Sequence, residues 1–330
     1  MKNLLSPTRL ITCATALLLL VSAGQAQSAP KKILFFSKSS GFQHDMIAQK
    51  NGAPSKAEKI LTKLGAKNNL EFTFTKDGGC FTPENIAKYD AFFFYTTGDL
   101  TEPGADKNPP MTQEGKAALL DAIAHGKGFI GTHSATDTFH SPGGKEIGGA
   151  RYIDDGTNAD PYIKMLGGEF IIHGSQQRVR QICTDRNFPG MEAVTEDFGP
   201  LEEWYSLKDF APDLHVLLVQ DTTMMDKSGN NRHGYDRPPY PSTWVHEYGP
   251  VCTRSAFSCH GAALLQRHGW TGRRGRVFYT SMGHRDDIWT NPVFQKVLLG
   301  GINWAVGNVN ADVTPNIQKA APGASVLPPG

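Results

Sequence analysis

Charge of one sign is missing from this sequence. Its 330 residues carry 33 Lys and Arg against 32 Asp and Glu, a formal net charge of +1. Nucleic acids and anionic membranes are bound through an excess of cations, so neither partner is indicated. A long apolar run is also missing. Leu10 to Ala23 (LITCATALLLLVSA) falls short of the roughly 20 residues that cross a bilayer, and no second run follows. Cysteine is scarce, five in all. Several motifs are absent as well. No Gly-x-Gly-x-x-Gly follows the first strand, so a nicotinamide or flavin cofactor is not supported. There is no Walker loop, no His-Glu-x-x-His and no Gly-x-Ser-x-Gly nucleophile elbow.

What is present begins with an export pattern. Lys2 and Arg9 precede the apolar run, and the small residues to Ala26 fit a cleavage site. Residues 1–26 therefore read as a signal peptide, and the mature chain as periplasmic or secreted. Cys80, Cys183, Cys252 and Cys259 would remain after cleavage. An oxidising compartment allows them three pairings; unpaired thiols are the other reading, since 39% hydrophobic residues supply a core without staples.

The mature chain alternates strands and helices. Ile33 to Phe36, Asp90 to Asp99 and Gly128 to Asp137 contain short continuous apolar runs, as strands covered on both faces do. Glu71 to Thr75, His215 to Gln220 and Arg276 to Met282 are further strands. A helix opening at Pro54 buries Ala57, Ile60, Leu61 and Leu64, and a second runs over Thr112 to Ala124. A third starts from an Asn291 cap with Pro292 in its first turn. This order is α/β, with a mostly parallel sheet between layers of helix. Residues 308–330 lack periodicity and read as a flexible tail.

Ligands of such sheets bind beyond the carboxyl ends of the strands. His44, His133 and His284, three of the eleven histidines, fall just past strand ends on one edge. Imidazole exchanges protons near neutrality and ligates metals, so this trio is the candidate catalytic or metal-binding set. Asp137 could orient one of the rings. In Glu202-Glu203-Trp204-Tyr205 a carboxylate lies beside aromatics, as acid–base work or sugar binding requires, and Glu203 is the one expected to face inward. Thr97, Asp99, Trp204, Arg285 and Trp289 are the candidate substrate contacts.

Four stretches carry a resemblance: Gly128 to Thr138 (GFIGTHSATDT), Gly167 to Gly174 (GGEFIIHG), Glu203 to Leu207 (EWYSL) and Arg276 to Phe294 (RVFYTSMGHRDDIWTNPVF). With Gly41 to Asp45 (GFQHD), they make residues 31–307 resemble the ThuA-like, trehalose-utilisation family. The resemblance implies a flavodoxin-like three-layer sandwich, similar to class I glutamine amidotransferases, and a role in carbohydrate use, including 3-keto-glycosides. In those amidotransferases a cysteine nucleophile follows a central strand; His133 stands at that place here. Glutaminase chemistry is therefore not expected, and Ser134 has no evident base. Residues 250–274 depart from the family pattern as an insertion beside His246. With Cys252, Cys259, His260 and His268 it reads as a stapled loop, a zinc loop or a locally aberrant reading frame. The expected function is a lyase or hydrolase on oxidised sugars, with or without a divalent metal such as zinc. The alternatives are a non-catalytic carbohydrate-binding protein and a purely structural exported domain.

Overall fold

The computed structural model describes residues 29–142, 149–250 and 273–330. The signal segment lies outside the described residues, as does the part of the insertion that carries Cys252, Cys259, His260 and His268. The described strands are β1 (Lys31–Phe36), β2 (Leu70–Thr75), β3 (Ala91–Phe94), β4 (Gly128–Thr132), β5 (Glu169–His173), β6 (Gln177–Arg178), β7 (Gln181–Cys183), β8 (Leu201–Glu202), β9 (Tyr205–Lys208), β10 (His215–Gln220), β11 (Tyr240–Tyr248) and β12 (Gly275–Thr280). The helices that matter here are α1 (Lys56–Lys67), α2 (Gln113–Ala124), α3 (Pro161–Leu166), α4 (Asp286–Thr290), α5 (Pro292–Ala305) and α6 (Ile317–Ala320).

Eight strands form one sheet in the order β2-β1-β3-β4-β12-β11-β10-β7. The first five are parallel, and β11, β10 and β7 then alternate in direction. Alternation of side chains explains why the central strands are apolar throughout. Ile33, Phe35, Phe93, Ile130 and Phe278 pack with α1 and α5 on one face. Leu34, Phe36, Phe92, Phe94, Phe129 and Val277 pack with α2 and α3 on the other. Each such side chain contributes roughly 1.5–3 kcal/mol when buried, and a one-residue slip would exchange the two cores. The result is the three-layer, flavodoxin-like sandwich.

The chain leaves β1 toward β2 on one side and enters β3 on the other, so a crevice opens beyond the carboxyl ends of β1 and β3. Helix starts are fixed by side chains. α1 begins at Lys56, two residues after Pro54, because Ser55 and Glu58 form a capping box. α5 has the expected Asn291 cap and Pro292.

The segment after Gly307 is a correction: it is not a loose tail. Val216 N donates to Asn316 Oδ1 (2.7 Å) and Asn316 Nδ2 donates to Val216 O (3.1 Å). That amide satisfies backbone groups of β10 at the end its short neighbour β7 does not reach. Ile317, Ala321 and Ala324 join the second core. No sequence periodicity announces this, because the anchors are scattered apolar contacts and single hydrogen bonds, such as that from Arg237 Nη2 to the Ala324 carbonyl (2.8 Å).

Candidate active site

Three loops and one linker meet at the sheet's carboxyl edge. His44 lies on the loop after β1, His133 opens a single 3-10 turn directly after β4, and His284 lies between β12 and α4. Glu203 links β8 to β9. β9 pairs with β5, and β8 with β6, as two small ladders that carry Glu203 and His173 to the edge.

His133 has φ +46°. That left-handed backbone costs a residue with a side chain about 1–2 kcal/mol. Tyr279 Oη holds the strained turn by donating to the His133 carbonyl (2.7 Å). A sharp strand-to-helix turn presents its first side chain at the top of the sheet, and here that side chain is imidazole. Gly283 has φ +129°, and a Cβ there would stand 2.7 Å from Thr132 Oγ1. Its carbonyl accepts from Tyr95 Oη (3.0 Å) and Trp289 Nε1 (2.8 Å). On the other side Glu202 Oε1 accepts from the amides of His284 (2.6 Å) and Arg285 (3.4 Å). The turn that carries His284 is thus pinned from both sides.

The three expected histidines converge. Ring centroids are 4.8 Å apart for His44 and His133, 5.3 Å for His44 and His284, and 5.2 Å for His133 and His284. One ligand-type atom from each of His44, His133, Glu203 and His284 lies within 4.8 Å of every other. Glu203 Oε2 is 3.1 Å from His284 Nδ1 and 3.6 Å from His133 Nε2, and Oε1 is 3.4 Å from His173 Nδ1. His133 Nε2 and His284 Nδ1 are 3.3 Å apart. His133 Nδ1 lies 3.1 Å from the Ser281 carbonyl, which only accepts. Nδ1 therefore carries the proton, and Nε2 turns a lone pair to the cluster.

Burial, then the neighbouring imidazoles, hold His44 well below its usual pKa. Burial likewise lowers His133 against the opposing pull of Glu203. Burial would raise Glu203, but the imidazoles around it, His284 Nδ1 nearest at 3.1 Å, outweigh burial and hold the carboxylate well below its usual range. Burial pushes Glu202 up to about 8, against the backbone amides that bind it. The site therefore sets His44 and His133, both held toward the neutral form, beside an anionic Glu203 and a Glu202 held toward the protonated form, an arrangement suited to proton transfer.

The four donors also suit a cation. Ligands at about 2.0–2.1 Å around a tetrahedral zinc ion are about 3.3–3.4 Å from each other. Three separations here are 3.1, 3.3 and 3.6 Å. His44 Nδ1 is buried without a hydrogen-bond partner. The Ser281 carbonyl orients His133 as an outer-shell partner would. A second acidic group, Asp155, Glu169 and Asp209, already has a cation: Lys208 Nζ lies 2.5 Å from Asp155 and 3.6 Å from Asp209.

Other expectations need correction. Trp204 and Trp289 are fully buried and belong to the first core. Trp204 Nε1 donates to Gln177 O (3.0 Å), and Trp289 stacks on Tyr95. Thr97 is buried and holds the Phe42 carbonyl (2.8 Å), while Asp99 caps its own turn through Thr101. Arg285 stays at the mouth, paired with Asp287 and Gln176. Asp137 orients an imidazole, but that of His140 (2.7 Å) rather than His133. Glu202 is not solvated; it is as buried as Trp204. His246 bonds the Met165 carbonyl, and Ser134 Oγ has no partner to activate it. Cys80 and Cys183 are free and half-buried. His173 and Tyr205 also belong to the site; the sequence sets Tyr205 beside the candidate carboxylate but gives neither residue a role. Tyr205 lies 4.3 Å from the His133 ring, and His173 sits in the GGEFIIHG stretch. A cleft of about 460 Å³ between Phe210–Asp213 and the C-terminal segment is lined by none of the cluster residues.

His140 lies between Asp137 (2.7 Å) and Glu169 (2.9 Å). Burial alone would lower its pKa, but the two carboxylates push it up from 6.5 to about 9. A pKa raised on folding stabilises the fold fully below the unfolded value and is lost as pH rises through the folded one. About 3 kcal/mol is therefore expected to disappear between pH 6.5 and 9–10. Urea titrations at pH 6 and pH 10 check this: the loss should be largely absent from His140→Gln.

The chain matches the family described as "ThuA: Trehalose utilisation" over residues 32–305. Among solved structures it is similar to a ThuA-like protein from Bacteroides uniformis, at 18% identity and TM-score 0.56, covering 86% of this chain and 94% of that one. A ThuA-like protein from Parabacteroides merdae is 15% identical with TM-score 0.50, covering 90% and 96%. At these identities the likeness speaks for the fold alone. No protein with a curated description matches.

Proposed function

The chain belongs to the ThuA, or trehalose-utilisation, family, and from that membership we propose that it is an exported enzyme acting on an oxidised glycoside by proton transfer. The observation that carries the reading is the meeting of His44, His133 and His284 at one carboxylate, Glu203. In a 3-keto-glycoside the hydrogen on C2 is acidified by the adjacent carbonyl. A neutral imidazole beside Glu203 can remove it, and the glycosidic oxygen on C1 lies one bond further on. Removing the C2 proton and expelling that oxygen forms a C1–C2 double bond. The departing oxygen takes a proton from an imidazolium, and addition of water to the double bond would complete a hydrolysis.

His133 Nε2 suits the base, because its lone pair is free and its other nitrogen is anchored. Glu203 stabilises the imidazolium that forms. In the alternative arrangement a divalent cation such as zinc would be held by His44, His133 and His284, with the His133 lone pair a ligand, Glu203 the base, and the open position used to polarise a carbonyl or a water. Glu202 would fix the backbone that presents His284.

The test incubates purified protein with 3-keto-glycosides and their unoxidised parents, with products followed by NMR and metal content by elemental analysis. Turnover confined to the oxidised set is the expected result. Sugar binding without product would instead mark a carbohydrate-binding protein.

A further inference from the structure

With Trp204 and Trp289 in the core, Phe42 is the one exposed Phe, Tyr or Trp among the described residues, at 70% exposure. An isolated surface aromatic needs no explanation, but this one stands at the mouth of the site. Its ring meets His44 edge-on, with centroids 5.1 Å apart and planes at 87°. His44 is in turn 4.8 Å from His133.

The mount is rigid. Thr97 Oγ1 donates to the Phe42 carbonyl (2.8 Å), and the amides of Ser40 and Gly41 donate to Thr97 O (2.9 and 3.2 Å). Gly98 lets the two loops approach, because a Cβ there would come 2.6 Å from Gly41 N. The backbone that carries the ring is thus fixed, which presents an aromatic face in water for an apolar surface to cover.

The charges around it favour a neutral ligand. Lys56 is shared by Asp45 (2.7 Å) and Asp286 (3.1 Å), and Lys50 pairs with Asp45 (2.9 Å). Arg285 is held by Asp287 and Gln176. Among the described residues of this mouth, these cations already have partners. An acyclic sugar acid or a sugar phosphate would have to displace one of them; a neutral pyranoside would not.

We propose that Phe42 is a stacking platform for the C–H face of a neutral pyranoside, holding the ring next to His44 in reach of the histidine–Glu203 cluster. The aromatic face carries partial negative charge and attracts the polarised C–H groups of the sugar. This inference rests on the carbohydrate reading above and names its ligand class.

Steady-state kinetics on 3-keto methyl glucoside, and calorimetry with methyl glucoside, test it in Phe42→Ala, Phe42→Leu and Phe42→Trp. Alanine and leucine are expected to raise KM and the calorimetric Kd roughly three- to tenfold. kcat should stay within about threefold, and tryptophan should restore binding. Gluconate, the acyclic anionic control, should bind none of the four proteins. Unchanged KM in Phe42→Ala, or a fall in kcat alone, overturns the platform while leaving the carbohydrate reading intact. If the wild-type protein neither binds nor turns over either glucoside, the carbohydrate reading fails and the platform with it.

Discussion

Glutamine in place of Glu203 is expected to lower turnover of an oxidised glycoside by about 10²–10⁴-fold while the protein stays folded. The side chains are isosteric, so His284 Nδ1, 3.1 Å away, still finds an oxygen. What disappears is the negative charge 3.6 Å from His133 Nε2. At an effective dielectric of about 20, opposite charges at that distance attract by roughly 4–5 kcal/mol, about three powers of ten in rate if the imidazolium forms only in the transition state. Stability should shift by only about 1 kcal/mol, because the variant also removes the burial of an anion.

The pH–rate profile separates this role from a passive one. Burial already lowers His133, and Glu203 is what pulls it back up. A base must be unprotonated to act, so the acid limb of the wild-type profile should lie below the usual imidazole value of 6.5. Without Glu203 it should move to still lower pH. Full turnover in Glu203→Gln, or an acid limb displaced upward, would remove the carboxylate from the chemistry. Measuring both proteins with excess zinc and with a chelator keeps loss of charge distinct from loss of a bound cation.

The sandwich was legible because its information is local. Phe92, Phe93 and Phe94 in succession cannot be half-exposed, so β3 had to be covered on both faces. The convergence of His44, His133 and His284 was legible for a topological reason: strands that run parallel deliver their following loops to one edge. Side-chain direction was the weak point. Glu202 and Glu203 both turn inward because β8 ends between them and the chain enters β9, so simple alternation does not hold there. Asp137 is three residues from the imidazole it serves, His140, and four from His133; residue spacing alone does not choose between them. His173 and Tyr205 arrive on a short ladder with an irregular register between Phe170 and Ile172, too brief for a periodic signal.

Trp289 tests that distinction between an aromatic that binds and one that packs. Trp289→Ala is expected to destabilise the protein by about 3–5 kcal/mol, a large part of the 5–15 kcal/mol that holds a typical domain. The indole is fully buried, stacked on Tyr95 with centroids 6.2 Å apart and planes 3° from parallel, and it meets Phe294 at 5.7 Å. It also donates to the Gly283 carbonyl, one residue before His284. Removing it opens a cavity behind the active-site turn and loosens that turn. Trp289→Phe separates the two effects. It keeps most of the packing and gives up one hydrogen bond worth about 1 kcal/mol, while Tyr95 Oη still holds Gly283 O. Urea denaturation should rank wild type above Phe and Phe well above Ala, with KM in Trp289→Phe near the wild-type value. If Trp289→Ala instead kept wild-type stability and raised KM, the indole would be a substrate contact and its place in the core would be wrong.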